Sequence, residues 1–198
     1  MNTLLRFGLG VAFSSVLVAS PALAISISVL PAAQSAGVGD SVSVDLVISG
    51  LEDGGAPSVG AFDLDVTFDP LILAAGSVTF GAFLGDEALG EALTASSVSA
   101  GLIDLAAVSL LLPVELDALQ PAAFTLATLS FTTLAADTSP LTLSQAFVDD
   151  AFGARLAADT VGGSVTVAQA VPQPVSEPAT LLLVGVGVLA WRLRRRRA

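Results

Sequence analysis

The sequence predicts an all-β chain, an antiparallel two-sheet sandwich, and three observations carry that expectation. Short runs alternate apolar with polar residues, β-branched residues are frequent within them, and Gly, Pro or Asp breaks them at regular spacing. Alternation with a period of two turns one side of each run toward a core and the other toward solvent. About 150 residues lie between two atypical ends, enough for one domain with a sizeable core and too few for two. A parallel α/β arrangement needs crossovers of about ten or more residues, which only 83–93 and 113–123 offer, and then in short form.

The chain opens with Arg6, an apolar run over 7–18, and Pro21-Ala22-Leu23-Ala24. This is the pattern of a secretory signal peptide spanning 1–24, cut by signal peptidase after Ala24, and its apolar run is too short for a membrane anchor. Strands are then expected at 25–30 and 41–48, followed by a flexible acidic loop over 50–58. The clearest strand runs from Ala61 to Phe68, with Phe62, Leu64, Val66 and Phe68 on one face and Asp63, Asp65 and Thr67 on the other; Asp69-Pro70 turns the chain. Further strands are expected at 77–80, 93–98, 102–111, 124–134, 141–147 and 163–167. The domain therefore spans 25–168, and a Pro-rich linker covers 169–178.

Beyond Pro178 an apolar stretch, 179–191, ends on Trp191, and residues 192–198 hold Arg192, Arg194, Arg195, Arg196 and Arg197. The stretch is expected to form one short transmembrane helix, with Trp191 at the interface and the arginines held cytoplasmic by the positive-inside rule, so that the domain faces outward. Thirteen residues make about 20 Å of helix against roughly 30 Å of hydrocarbon, a mismatch that suits temporary residence better than permanent anchoring.

Composition removes whole classes of chemistry. With no Cys, His or Lys there is no disulfide, thiolate nucleophile, ordinary zinc site, Ser-His-Asp triad or Schiff-base residue. Residues 25–177 carry all 18 acids against Arg155 alone, a net of −17, so nucleic-acid binding is excluded. Only carboxylates are left as acids or bases. Asp63, Asp65 and Asp69 are the candidates for a Ca²⁺ site, weighed against a solvated strand face with an Asp-Pro turn; an EF-hand is ruled out because Phe68 and Ala74 stand where Gly and Glu are needed. Asp149-Asp150 beside Gly153 reads as turn chemistry. A polysaccharide hydrolase using an Asp/Glu pair is the catalytic alternative, but 25–177 lacks the Trp and Tyr that usually wall a sugar cleft, so no enzymatic activity is expected.

Two resemblances complete the reading. Val175, Glu177 and Pro178, the Leu/Gly-rich stretch and the terminal arginines resemble a PEP-CTERM sorting signal, with Ser176 where that pattern has its first proline. The resemblance implies a bacterial protein recognised by an exosortase, a membrane cysteine protease or transpeptidase of bacteria that make extracellular polysaccharide. An ordinary anchor with stop-transfer arginines is the alternative. The order of Val38-Gly39-Asp40, the 60–70 strand, Leu129-Ser130-Phe131 and Gly163-Ser164-Val165-Thr166-Val167 is similar to a cohesin-type sandwich, a jelly roll of the carbohydrate-binding-module kind. That family binds dockerins, which makes a dockerin-binding cohesin a further alternative. The function expected is an exported, non-catalytic surface or matrix module, membrane-held by its helix at first, with a structural, adhesive or partner-binding role toward a protein or extracellular polysaccharide.

Overall fold

The computed structural model describes residues 24–169 and Arg195. Twelve strands form two sheets packed face to face: β1 (Ile25–Leu30), β2 (Ala33–Gly37), β3 (Ser41–Ser49), β4 (Val59–Thr67), β5 (Leu73–Phe80), β6 (Ala92–Ser99), β7 (Leu102–Ser109), β8 (Ala123–Thr133), β9 (Thr138–Asp150), β10 (Arg155–Leu156), β11 (Ala158–Val161) and β12 (Gly163–Ala168). The smaller sheet has the order β11-β1-β3-β8-β5, and the larger β2-β12-β9-β4-β7-β6, with β10 added alongside β9. Within residues 24–169 one α-helix, α1 (Pro113–Leu119), links β7 to β8.

Alternation explains the core. Val42, Val44, Leu46 and Ile48 of β3 face Phe62, Leu64 and Val66 of β4 across the sandwich, joined by Ile103 and Leu105, Leu129 and Phe131, and Val165 and Val167. All are buried. Each such side chain contributes roughly 1.5–3 kcal/mol relative to exposure, and a chain without cysteine has only this burial and its ladders to oppose conformational entropy. Phe131 meets Phe68 edge-on at 5.3 Å between ring centres, a favoured aromatic geometry.

Local chemistry sets the connections. The β6–β7 hairpin turns through Ala100 and Gly101, and Gly101 takes a φ of 85°, which side chains tolerate poorly. Gly60 lies at a register shift in β4 where an added Cβ would fall 2.5 Å from the Asp150 carbonyl oxygen. Pro113 begins α1, where its missing N–H costs nothing, and the Glu115 carboxylate accepts the Leu112 N–H at 2.9 Å.

The two-sheet sandwich agrees with the sequence, and so do nine of the strand positions within a few residues at their ends. Antiparallel pairing gives way at the margins, however, and both sheets are mixed: β1 pairs β11 in parallel, and β12 pairs β2 in parallel. β2, β10 and β11 are additions to the expected set. Ala33-Gln34-Ser35-Ala36-Gly37 has no β-branched residue and no large apolar one, so nothing local marks it as a strand; its pairing with β12 does. The potential crossovers 83–93 and 113–123 yield only two 3-10 turns and the two-turn α1.

The ends of the domain lie at opposite poles. β1 starts against the end of β3, and Leu51 N–H bonds the Ala122 carbonyl, so Ile25 sits at the α1 pole. β12 runs antiparallel to β9, with Thr166 opposite Thr138, and so leaves the domain at the other pole. No helix among the described residues is long and apolar enough to cross a membrane. The expected signal peptide over 1–24, the transmembrane helix expected over 179–191, and nearly all of the expected linker and the arginine-rich end lie outside the described residues.

Candidate functional site

The outward face of the larger sheet collects most of the residues singled out by alternation. β4 lies between β7 and β9, so Asp65 stands opposite Asp104 on one side and Gln145 on the other, while Asp63 stands opposite Ala106 and Phe147. Three carboxylates thus share this face. Partial burial, then the charges of Asp104 and Asp63, push the Asp65 carboxyl above its ordinary value.

A carboxyl raised in this way binds a proton more tightly when folded. Its contribution to stability is full below the unfolded pKa of about 3.9 and is lost as pH rises through the folded value. Asp65→Asn, which cannot ionise, is expected to melt at a higher temperature than the parent at about pH 7, the gap closing below about pH 4. Thermal melts across that range check this, and a lower melting temperature for the variant at neutral pH would count against the cross-strand repulsion.

Asp69 has a different task. Its Oδ1 accepts the Leu71 N–H at 2.9 Å, its carbonyl accepts the Ile72 and Leu73 N–H groups, and its own N–H donates to Ser139 Oγ at 2.9 Å. It therefore closes the turn after β4. Asp63, Asp65 and Asp69 are the candidates for Ca²⁺, and among the described residues no three His, Cys, Asp or Glu side chains gather as a metal site requires.

Asp149 and Asp150 divide similar work. Asp149 pairs with Arg155 at 2.6 Å, and the Arg155 guanidinium lies 4.3 Å from the centre of the Phe147 ring. Asp150 Oδ1 accepts the N–H groups of Phe152 and Ala154, both at 2.8 Å, as turn chemistry predicts.

Around the acids the same face exposes apolar side chains: Leu93 on β6, Val108 opposite it on β7, and Phe147 on β9 are 61%, 47% and 45% exposed. The face is a flat sheet. A cavity of about 510 Å³ opens elsewhere, between β5 and β6, floored by Phe62, Phe80 and Leu126. Its carboxylates hold local bonds, Asp86 from the Ala88 N–H at 2.8 Å and Glu87 from the Thr94 hydroxyl at 2.6 Å.

One structural residue carried no signal in the sequence. Gln120, at the end of α1, is buried; its Nε2 donates to the carbonyls of Val59 and Phe83 at 2.8 and 3.0 Å, and its Oε1 accepts the Val59 N–H at 2.7 Å. It ties α1 to the start of β4. Of the tail residues, Arg195 is helical and exposed; Val175, Glu177, Pro178, Arg192, Arg194, Arg196 and Arg197 lie outside the described residues.

Comparison with known proteins divides along the same line as the chain. Residues 174–197 match the model of the PEP-CTERM protein-sorting motif. No curated protein matches. Among solved structures, a non-cellulosomal cohesin from the archaeon Archaeoglobus fulgidus superposes with a TM-score of 0.57 at 17% identity, covering 73% of this chain and 91% of that one. CaCohA2 from Clostridium acetobutylicum gives 0.60 at 22%, covering 75% and 94%. A chain of a type I cohesin–dockerin complex from Clostridium thermocellum gives 0.60 at 13%, covering 73% and 99%. At these identities the likeness establishes the fold. The chain is thus a cohesin-like β-sandwich followed by a PEP-CTERM protein-sorting motif at 174–197.

Proposed function

We propose that this protein is an exported bacterial module whose tail is recognised by an exosortase and whose sandwich binds a partner at the cell surface or in the extracellular matrix, without catalysis. The order of the two parts, a cohesin-like domain leading into the 174–197 sorting motif, supports this most directly. The tail enters the membrane first as an anchor, with Val175, Glu177 and Pro178 as the processing motif and the arginines from Arg192 to Arg197 as the topological stop. The outward face of the larger sheet is the docking surface. Leu93, Val108 and Phe147 supply apolar anchors there, and Asp63, Asp65 and Asp104 favour a partner with basic residues around its contact.

A polysaccharide hydrolase fits poorly with this geometry, because the opposed carboxylates Asp65 and Asp104 lie on an open sheet rather than across a cleft. Dockerin binding belongs to the solved cohesins whose complexes carry that description; a protein partner is the form in which it extends to this chain. The test is the intact mass and C-terminal peptide of the protein from the membrane and from the extracellular material of its own host. A species beginning near Ile25 and ending close to Glu177 outside the membrane is expected. A species keeping Trp191 and the arginines, found only in the membrane, would make it a plain anchored domain.

A further inference from the structure

We propose that the cavity between β5 and β6 is a binding site for a small organic cation, an ammonium group carried on an aromatic or short alkyl body. The two strands are edges of opposite sheets, and the sandwich does not close between them. The connection from one strand to the other, 81–91, forms a lip there instead. About 510 Å³ opens beneath it, within the range of about 300–1,000 Å³ usual for ligand pockets.

The floor is apolar. Phe62, Leu84, Ala92, Ala107 and Leu126 line it and are buried, and the rings of Phe62 and half-buried Phe80 lie 6.2 Å apart at 31°. An apolar body gains free energy by leaving water for such a floor, and an aromatic one can pack against the two rings.

The lip is acidic and fixed in place. Asp86 and Glu87, both exposed, line the mouth, and Glu91 stands behind them with its Oε2 accepting the Asp86 N–H at 3.0 Å. Asp86 Oδ1 accepts the Ala88 N–H at 2.8 Å and Glu87 Oε2 the Thr94 hydroxyl at 2.6 Å, while the second oxygen of each carboxylate has no hydrogen-bond partner among the described residues. Three bonds pin the lip to the sandwich: Gly81 N–H to the Leu126 carbonyl at 2.9 Å, Gln120 Nε2 to the Phe83 carbonyl at 3.0 Å, and Leu110 N–H to the Glu91 carbonyl at 2.7 Å. A site formed in advance in this way loses little freedom on filling.

Floor and lip select the ligand together. An apolar floor alone takes any hydrocarbon, and acids alone are common on this domain. A fatty acid or a phosphorylated compound would bring its anion against two carboxylates, and a sugar would hold its hydroxyls unpaired over phenylalanine. An ammonium at the lip meets the free carboxylate oxygens while its body reaches the rings, which also attract a cation. Arg155, the single basic side chain of 25–177, pairs with Asp149 beyond β9, on the far side of β4 and β7 from β6, and leaves the lip uncompensated. The cavity lies between the sheets, apart from their outward faces, so the site does not rest on the partner proposed above.

Three probes alike in shape and different in charge make the test: phenethylammonium, 2-phenylethanol and 3-phenylpropionate. Each is titrated into the full-length protein in zwitterionic detergent at low salt and neutral pH, with the NMR signals of the Ala92, Ala107 and Leu126 methyl groups as the readout. Phenethylammonium is expected to shift these signals saturably, with an affinity at least about tenfold above that of phenylethanol, and phenylpropionate to leave them in place. Asp86→Asn combined with Glu87→Gln keeps an oxygen to accept the Ala88 N–H and the Thr94 hydroxyl; it should bring the amine down to the level of the alcohol and leave the alcohol unchanged. Ala107→Leu, which fills the floor, should weaken both at least about tenfold, with the Val165 and Val167 methyl signals reporting that the sandwich is intact. Equal binding of the three probes, an amine affinity indifferent to the double substitution, or no saturable shift by about 10 mM amine overturns the proposal.

Discussion

Replacing Glu177 and Pro178 together with alanine is expected to leave an uncut, membrane-held precursor, with the extracellular form reduced at least about tenfold. Proline has no N–H and disfavours helix in the residue before it, and on the proposed reading the Glu177-Pro178 pair is what the processing enzyme recognises. Extended segments are what strand-type recognition grooves accept, and the Glu177 carboxylate would offer a fixed charge for the enzyme to read. The double substitution removes both features and leaves the apolar stretch and the arginines intact, so insertion and orientation should not change. Intact masses from membrane and extracellular fractions give the readout. Unchanged processing would sink the exosortase reading, since an ordinary anchor is indifferent to these two residues.

The second large effect is expected from Gln120→Leu, which keeps volume and removes the polar group. Three hydrogen bonds disappear, and the two buried ones leave the Val59 N–H and C=O without their side-chain partner in a site with little access to water. An orphaned buried group costs roughly 1–3 kcal/mol, so a loss of about 3 kcal/mol is expected, seen as a fall in melting temperature on the order of 10 °C. Urea unfolding of the variant should show a lower midpoint with an unchanged slope. A change below about 1 kcal/mol would mean that α1 is held by Leu116, also buried, and not by its terminal glutamine.

These residues illustrate what a linear pattern conveys. The alternation of Phe62, Leu64, Val66 and Phe68 against Asp63, Asp65 and Thr67 is a local signal of burial, and the strand, its faces and its terminal Asp-Pro turn follow from it. Ala33-Gln34-Ser35-Ala36-Gly37 is a strand only because β12, more than 120 positions later, lies beside it, and no local pattern encodes such a partner. The parallel margins escape notice for the same reason. Asp65 looked like a ligand by its spacing from Asp63 and Asp69, yet its principal charged neighbour on the sheet is Asp104, brought across by the β4–β7 register. Gln120 is one polar residue in a connection that the sequence marks only as a potential short crossover, and only its burial and its bonds to Val59 give it weight. The sorting segment is the opposite case: its order of motif, apolar stretch and arginines is a linear pattern, matched over 174–197 without reference to any tertiary contact.

The position of β12 has a bearing on when this domain can finish folding. The last strand of the sandwich is inserted between β2 and β9, and it brings Val165 and Val167 into the core. Until residues 163–168 have been translocated, β2 lacks its neighbour in the sheet and the rim of β9 stays open. Such pairing across a long loop is intrinsically slow and leaves unpaired edges exposed in the meantime. The sorting segment begins only six residues after β12 ends. On the proposed reading, capture of the tail by the membrane would coincide with closure of the sheet, holding the nascent domain apart from other chains while that edge is being covered.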